Sequence, residues 1–258
     1  MYDTHMHTRF STDSTMSMED AVRRAGELGL GIIITEHMDL NYPEPQAFIF
    51  NVDEYFDAYQ PCRNDNVLLG IEIGMRGETE PDNRRIVEGH SFDYVIGSIH
   101  IVDGVDIYQE SFYQGRTKQD VYSRYFSAML DCVTKYDWID SLGHIDYIAR
   151  YARFQDVDIY LDEFREPLEK ILGLLASRNK AMEINTRRLG DKKALEALIP
   201  IYRRFKELGG QFVTIGSDAH NPKDIGKNFE QAMSLAQICN LKPVFFRERR
   251  MEYWKEGV

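Results

Sequence analysis

The sequence has 258 residues, 43% of them hydrophobic and 12% aromatic, a composition typical of a folded globular protein and not of a disordered one. Its formal net charge of −11 argues against nucleic-acid binding driven by overall charge, because a phosphate backbone would be repelled. The three cysteines, Cys62, Cys132 and Cys239, form no C-x-x-C pair, so neither a disulfide framework nor a thiolate zinc site is indicated.

The pattern of apolar residues places the protein outside membranes. No apolar run approaches the ~20 residues that span a bilayer. The first predicted strand begins at Met1, in the place where a signal peptide would lie. We therefore expect a cytoplasmic protein with no membrane partner.

Short β-branched runs alternate with longer amphipathic segments along the chain. The predicted strands are residues 1–4, 31–35, 67–73, 94–99, 138–143, 181–185 and 212–216, and the predicted helices are 17–29, 117–136, 161–179, 192–208 and 222–239. Ser17 and Thr117, each followed three residues later by aspartate, resemble capping boxes, and Gly29 ends the first helix. Pro167 is expected at a bend or in an early helical turn.

This alternation predicts a parallel sheet with crossover helices in one domain, residues 1–258, because no linker, repeat or low-complexity tract divides the chain. An open doubly wound sheet and a closed barrel both fit the pattern. Neither G-x-G-x-x-G nor G-x-x-x-x-G-K-[ST], the phosphate loops of open folds, occurs. We therefore predict a distorted seven-stranded (β/α)7 barrel of the TIM type, with its chemistry at the carboxyl ends of the strands.

The first strand leads into His5-Met6-His7, followed by Asp13 in a loop. Residues i and i+2 of an extended chain point to the same side, so His5 and His7 can reach one metal ion. The same residue types end the other predicted strands: Glu36 and His37, Glu72, His100, His144 and Asp146, and Asp218 and His220. Only His90 lies elsewhere, in a helical stretch, where we expect a solvated side chain.

These residues predict a polynuclear metal site. A carboxylate in an apolar strand, such as Glu72, is costly to bury unless it is paired or binds a metal. Imidazole and carboxylate ligands without thiolates suit Zn, Mn, Fe or Co, and about nine ligands are enough for three ions. A bridging carboxylate and a hydroxide between two ions would hydrolyse a phosphate ester at neutral pH.

Taken together, the motifs resemble the PHP (polymerase and histidinol phosphatase) superfamily over essentially the whole chain. The HTRFS run after Met6, Gly-Ser-Ile-His at 97–100 and Gly-His-Ile-Asp-Tyr at 143–147 are most similar to its histidinol-phosphatase branch. The resemblance implies a trinuclear centre with a fixed ligand set. One ion would take His5, His7, Glu72 and Asp218; a second would take Glu72 as the bridge, with His100 and His144; a third would take Asp13, His37 and His220.

The resemblance also implies further roles around the metals. Glu72, Asp218 and His220 are expected to act in catalysis, although either Asp218 or a metal-bound water can be the general acid. Glu36 is expected to support its neighbours and not to bind metal. The arginines expected at the substrate phosphate are Arg9, Arg150 and Arg187, ahead of Arg153 and Arg188. The tyrosine-rich loop 102–116 is expected either to cover the site or to be an ordinary surface loop.

The residues therefore predict a three-metal hydrolase of small phosphate esters, and the resemblance implies a phosphomonoesterase that converts L-histidinol phosphate to L-histidinol and phosphate in histidine biosynthesis. One alternative keeps the metal centre but acts as a nuclease or nucleotide phosphoesterase, which the acidic composition disfavours. Another is a non-catalytic binding module, which the complete ligand set disfavours. Its partner is expected to be a small phosphate ester and not a nucleic acid. Neither the physiological metal nor the oligomeric state follows from the sequence.

Overall fold

The structure is a computed structural model that describes residues 1–254 of the chain. Within that range the strands are β1 (Tyr2–Asp3), β2 (Gly31–Met38), β3 (Val67–Gly74), β4 (Tyr94–Ser98), β5 (Ile101–Val102), β6 (Val105–Asp106), β7 (Ser141–Leu142), β8 (Ala181–Asn185), β9 (Phe212–Gly216), β10 (Lys242–Arg247) and β11 (Arg250–Tyr253). The helices are α1 (Met18–Leu28), α2 (Val52–Tyr59), α3 (Glu80–Glu88), α4 (Lys118–Lys135), α5 (Ile148–Tyr151), α6 (Arg165–Ser177), α7 (Lys192–Glu207) and α8 (Phe229–Ile238). None of these helices is long and apolar enough to cross a membrane.

Eight parallel strands form the frame of the molecule, in the order β1, β2, β3, β4, β7, β8, β9 and β10, and β11 pairs antiparallel with β10. The segment after β1 also pairs with the end of β9: the Thr4 N–H donates to the Ile215 carbonyl at 2.9 Å, and the Asp218 N–H to the His5 carbonyl at 2.7 Å. The first and seventh parallel strands are therefore neighbours, as a seven-stranded barrel requires. The predicted α/β fold with a parallel sheet is confirmed.

Alternate residues of each strand divide between two environments. In β2, Ile32 and Ile34 belong to the large core shared with the helices, whereas Ile33 belongs to a second apolar cluster inside the sheet. Because side chains alternate along a strand, Thr35 and His37 share the inner side with Ile33. The inner side is thus apolar near the start of a strand and polar near its carboxyl end.

The hairpin of β10 and β11 closes the apolar end of the sheet. The ring of Phe246 stacks on Tyr94 at 5.5 Å, and that of Phe245 stacks on Tyr2 at 3.9 Å. Its turn holds Glu248 and Arg249 at positive φ, 49° and 63°. The N–H groups of both residues donate to Asp93, one to the carboxylate and one to the carbonyl, at 2.9 Å each. This hairpin was not predicted.

Several predicted helix ends are confirmed by their caps. The Ser17 hydroxyl accepts from the Asp20 N–H at 3.1 Å, and Gly29 ends α1 at φ 65°. Thr117 and Asp120 form a reciprocal capping box at α4. Pro167 lies in the first turn of α6, where proline is tolerated.

Other predicted boundaries were wrong. The predicted helix 222–239 is divided into a short 3₁₀ turn, Pro222–Asp224, and α8. The predicted strand 138–143 is reduced to β7. His90 lies two residues beyond the end of α3 and not within a helix. The helices α2, α3 and α5 and the small β5–β6 hairpin were not predicted, because each is too short to show a clear period.

Candidate metal centre

Ligand-type side chains meet at the carboxyl ends of the parallel strands. The structure brings together all nine residues that the sequence predicted as metal ligands: His5, His7, Asp13, His37, Glu72, His100, His144, Asp218 and His220. They are buried except for His220, which is partly exposed, and Asp13, whose side chain is 41% exposed. The structure shows that these side chains lie close together. That they bind metal stays a prediction.

Glu72 lies at the centre of the cluster, with each oxygen facing different histidines. Its Oε2 is 3.4 Å from His5 Nε2 and 3.5 Å from His7 Nε2. Asp218 Oδ1 lies 3.4 Å from His7 Nε2 and 3.9 Å from His5 Nε2. We call these four residues the first group.

The other oxygen of Glu72 faces the second group, which comprises Glu72, His100 and His144. Oε1 is 2.8 Å from His144 Nε2 and 3.3 Å from His100 Nε2, and it also accepts from the Ser98 hydroxyl at 2.7 Å. Glu72 therefore stands between two sets of imidazoles, which is where a bridging carboxylate would stand.

The third group comprises Asp13, His37 and His220. Asp13 reaches His220 Nε2 at 3.0 Å and His37 Nε2 at 3.7 Å. His7 is close to this group as well, because its ring stacks on that of His37 at 4.0 Å. Ligand atoms of His7, His37 and His220 lie within 4.8 Å of one another, so His7 adjoins two of the three groups.

The donor atoms of the cluster fit a bound cation. Glu72 Oε2 and His37 Nδ1 are buried 2.8 Å apart, and His100 Nε2 lies buried 3.3 Å from Glu72 Oε1, but none of these three atoms makes a hydrogen bond of regular geometry. An unsatisfied buried polar atom costs about 1–3 kcal/mol, so several of them in one cluster need a partner. A divalent ion supplies that partner, and oxygen and imidazole donors without thiolate suit Zn, Mn, Fe or Co.

The carboxylates of the cluster remain charged despite their burial. Burial opposes ionisation, but His5, His37 and His100 hold the pKa of Glu72 well below its usual range. Burial likewise opposes ionisation of Asp218, but Arg150 and His5 hold its pKa well below its usual range. Both groups are therefore anionic at neutral pH, as metal ligands must be.

The imidazoles of the cluster differ in the direction in which their pKa values are shifted. Burial and the neighbouring His37 and His220 hold the pKa of His7 well below its usual range, so that ring is neutral and free to bind a metal. Burial opposes protonation of His5, but the carboxylates around it, Glu183 first, raise its pKa well above its usual range.

Hydrogen bonds around the cluster fix the orientation of its histidines. The Nδ1–H of His5 donates to Glu183 at 2.7 Å, which leaves Nε2 directed at Glu72. The Ser11 hydroxyl donates to Glu36 at 2.6 Å and accepts from His7 Nδ1, 3.1 Å away. Such outer hydrogen bonds select the tautomer that binds a metal. Glu36 acts here as a partner of neighbouring residues, in line with its predicted role.

Two functional carboxylates were missed by the sequence reasoning. Asp39 lies two residues after His37, with the i, i+2 spacing that marked His5 and His7, and its Oδ1 is 2.9 Å from His100 Nδ1. Glu183 lies in the middle of a buried strand, the same signal that marked Glu72. It also accepts from the His144 N–H at 2.6 Å.

Two of the three favoured arginines lie at the cluster. Arg150 NH1 donates to Asp218 Oδ2 at 2.5 Å, and its buried Nε and NH2 have no partner within the protein. Arg187 NH1 donates to the Asp218 carbonyl at 2.8 Å. Asp218 is held in the left-handed region, φ 55°, which turns its carbonyl toward Arg187 and away from the regular strand.

The other arginines and His90 lie elsewhere. Arg9 is exposed, with its guanidinium over the rings of Phe10 and Tyr59 and not at the cluster. Arg153 is exposed and donates to the Tyr151 carbonyl. Arg188 pairs with Asp146 at 3.3 Å and Asp158 at 2.6 Å, away from the metal ligands. The Nδ1–H of His90 donates to the Ile86 carbonyl at 2.7 Å, and its Nε2 lies 3.2 Å from the Asp53 carboxylate in α2.

Two adjoining cavities open over the cluster. The smaller, about 230 Å³, is lined by third-group residues and by Arg150 and Arg187, and we call it the arginine cavity. The larger, about 430 Å³, is called the aromatic cavity. Its lining includes Asp39, Tyr42, Glu44, Phe48, Asp106, Tyr108, Gln109, Tyr147 and Tyr151. The two share Tyr147 and Tyr151, and loop 102–116 contributes to the second one.

The chain is similar to known proteins over nearly its whole length. The family model described as "PHP domain" matches residues 3–187. A Clostridium acetobutylicum protein named "Probable histidinol-phosphatase" is 49% identical, covering 98% of this chain and 99% of its own. A histidinol-phosphatase from Lactococcus lactis is 34% identical, covering 90% and 89%.

A solved structure is also similar. The crystal structure of histidinol phosphate phosphatase from Lactococcus lactis, complexed with zinc, L-histidinol and phosphate, matches with a TM-score of 0.92. It is 32% identical in sequence, and the match covers 97% of this chain and 98% of that one.

Proposed function

This chain belongs to the PHP domain family, and from that membership we propose that it is a histidinol-phosphatase, a metal-dependent phosphomonoesterase that converts L-histidinol phosphate to L-histidinol and phosphate. The proposal places it in histidine biosynthesis. The observation that carries it is the arginine cavity, where two guanidinium groups and the metal-ligand side chains face the same space. A phosphate ester is the class of substrate that such a space suits.

We assign three divalent ions to the centre, one to each group of ligands. Support comes from five overlapping sets of three side chains whose ligand atoms lie within 4.8 Å of one another, and from the donor atoms among them that make no regular hydrogen bond. Ions held there would activate a water molecule for attack on phosphorus and neutralise charge on the phosphate oxygens. Zinc, which the Lactococcus lactis structure contains, is the first ion to test, ahead of manganese, iron and cobalt.

The chain's own residues then bind and orient the substrate. The free Nε and NH2 groups of Arg150 are available for two phosphate oxygens, while its NH1 stays on Asp218. Arg187, anchored to the Asp218 carbonyl, adds positive charge beside the same cavity. Charges placed in advance, where phosphate charge develops, lower the barrier without reorganisation at the moment of reaction.

The aromatic cavity would accept the rest of the substrate. Histidinol carries an amine and an imidazole, which suit a cavity lined by aromatic rings and carboxylates. Phe48 on one side and Tyr151 on the other provide rings, and Glu44 and Asp106 provide negative charge. Both cavities share Tyr147 and Tyr151, so one molecule can place its phosphate in the first and its cationic part in the second.

The test is the release of inorganic phosphate by protein loaded with zinc or manganese. We expect kcat/KM for L-histidinol phosphate to exceed that for p-nitrophenyl phosphate and for a mononucleotide by about 10²-fold or more, because only the first substrate uses both cavities. Comparable, slow turnover of all three would contradict the proposed substrate. Release of mononucleotides from a single-stranded oligonucleotide would support the nuclease alternative instead. A cytoplasmic location stays a prediction.

A further inference from the structure

A buried carboxylate outside the predicted ligand set lies between two metal groups. Asp39 follows directly after β2 and is 3% exposed. Its Oδ1 is 2.9 Å from Nδ1 of His100, in the second group, and its Oδ2 is 3.7 Å from Nδ1 of His37, in the third. The family ligand set leaves this side chain without a role.

The contact with His37 is incomplete. Asp39 Oδ2 and His37 Nδ1 are both buried, and neither makes a hydrogen bond of regular geometry, although His37 Nδ1 also lies 2.8 Å from Glu72 Oε2. A movement of less than one ångström would bring Asp39 Oδ2 within hydrogen-bond distance of His37 Nδ1. When Glu72 binds a cation, Asp39 would be the carboxylate left to accept from the His37 Nδ1–H.

This pairing would direct both rings toward the metals. An imidazole whose Nδ1–H donates to a carboxylate presents Nε2 as its ligand atom. His100 Nε2 is 3.3 Å from Glu72, and His37 Nε2 is 3.7 Å from Asp13. Each Nε2 thus lies beside a carboxylate of its own group.

The neighbouring strand leaves room for the Asp39 carboxylate. A Cβ at Gly74, the last residue of β3, would collide with the carboxyl oxygen of Asp39. Gly74 does not have positive φ, so its backbone does not require glycine. Residue 74 is therefore glycine because the Asp39 carboxylate occupies the space that a side chain there would need.

We propose that Asp39 is a positioning residue that orients His37 and His100 together and thereby couples the second and third metal positions. The inference rests on the metal centre of the proposed function, and it does not depend on which substrate is hydrolysed. Loss of Asp39 weakens binding at two positions at once. The first group, which Asp39 does not contact, keeps its ion.

The test measures bound metal directly. Asp39→Asn and the unchanged protein are dialysed against a buffered range of free Zn²⁺, and bound zinc per chain is measured by mass spectrometry. We expect binding at two of three positions to weaken by about 10- to 100-fold in Asp39→Asn, with the third unchanged. Asp106→Asn is the matched control, because this carboxylate lines the same cavity but bonds to Tyr42 and the Tyr108 N–H instead of to histidine.

A second variant tests the same role without removing the Asp39 carboxylate. Gly74→Ala retains Asp39 but displaces it, so the same two positions should weaken. Far-UV circular dichroism and the melting temperature establish that each variant is folded, and if Asp39→Asn does not fold, Gly74→Ala alone decides. In the zinc-loaded native protein, ¹⁵N NMR should show the side-chain protons of His37 and His100 on Nδ1.

Three outcomes would overturn the inference. Asp39→Asn could bind three zinc ions with unchanged affinity, or it could lose only one metal position, which would mark Asp39 as a simple ligand. In the native protein, NMR could place the His37 ring proton on Nε2 instead of Nδ1. These outcomes are separate from those that concern the substrate. If the native protein binds three ions but does not prefer L-histidinol phosphate, the proposed substrate fails and the role of Asp39 stands. If it prefers that substrate and both variants bind zinc normally, only the role of Asp39 fails.

Discussion

Arg150 is the residue on which phosphate binding in the proposed reaction most depends. It is buried, paired with Asp218 through one nitrogen, and carries two further nitrogens without partners. Burial opposes its positive charge, but Asp218 and Asp146 raise the pKa of the guanidinium, so it is protonated at neutral pH. A fixed positive charge with free N–H groups is suited to hold a phosphate in one orientation.

We predict that Arg150→Lys lowers kcat/KM for L-histidinol phosphate by about 10²–10³-fold. A lysine is a point charge and cannot hold Asp218 and two phosphate oxygens at the same time. Steady-state kinetics with zinc-loaded protein measures the loss.

Arg153→Lys is the matched control, because Arg153 is exposed three residues further along the chain and does not line the arginine cavity. We expect it to retain native kinetics. Equal losses in the two variants would contradict a specific role for Arg150.

Single residues also show where sequence reasoning was sufficient and where it was not. Histidines at strand ends are recognisable because the spacing of extended chains and the residue type point the same way. The sequence favoured Arg150, which closely follows His144, but it could not exclude Arg9, because whether a loop side chain turns inward is decided by packing. Asp39 was missed because Glu36 and His37, a few residues earlier, already marked the polar end of that strand.

At the scale of elements, the predicted strands other than 138–143, and the capped helices, were placed well. The runs 181–185 and 212–216 coincide with β8 and β9, because strands buried on both sides are continuous apolar segments that begin and end sharply. The hairpin of β10 and β11 was missed for a different reason. Its turn has no Asn-Gly or Asp-Gly signal, and two hydrogen bonds to the distant Asp93 hold it in place.

That turn gives a prediction about stability. Glu248 has φ 49°, a conformation that costs most L-residues about 1–2 kcal/mol but that asparagine tolerates better. We predict that Glu248→Asn stabilises the protein by about 0.5–1 kcal/mol and raises its melting temperature by about 1–3 °C. Differential scanning calorimetry measures the change.

The control for that prediction is Glu252→Asn, in the adjoining strand β11. Glu252 does not have positive φ, and it pairs with Arg247 at 3.3 Å. We expect no gain in stability there. A melting temperature for Glu248→Asn at or below that of the unchanged protein would mean that the tertiary contacts of the turn, and not its backbone strain, decide its stability.

At the scale of the whole molecule, the inner side of the sheet has an apolar end, where the strands begin, and a polar end, where they finish. The apolar end is filled by aromatic side chains, whereas the polar end gathers charged groups that are expensive to bury unless they bind a cation. The metals are therefore expected to contribute to stability as well as to chemistry.

We predict that removing the metal ions lowers the melting temperature by about 10 °C or more. Three ions, each present at about 100 times its dissociation constant, stabilise the folded state by about 2.7 kcal/mol apiece. A chain of this size gains about 2 °C per kcal/mol. Thermal unfolding is followed with and without a chelator, and added zinc or manganese should restore the original value.

Chelator already saturated with zinc controls for effects of the chelator itself and should leave the melting temperature unchanged. An equal melting temperature with and without bound metal, verified by metal analysis, would show that hydrogen bonds within the cluster alone stabilise this end of the sheet.

The pairing of the segment after β1 with the end of β9 also has a consequence for the order of events during synthesis. Asp3 accepts a hydrogen bond from the Ser217 N–H, 214 residues further along the chain. At ~5–20 residues per second, the ribosome needs roughly 10–40 s to add that many residues. For that time His5 and His7 are outside the ribosome without Asp218 and His220. The nine predicted ligands are therefore all present only after His220 has been made, and only from then on could metal ions fill the complete centre.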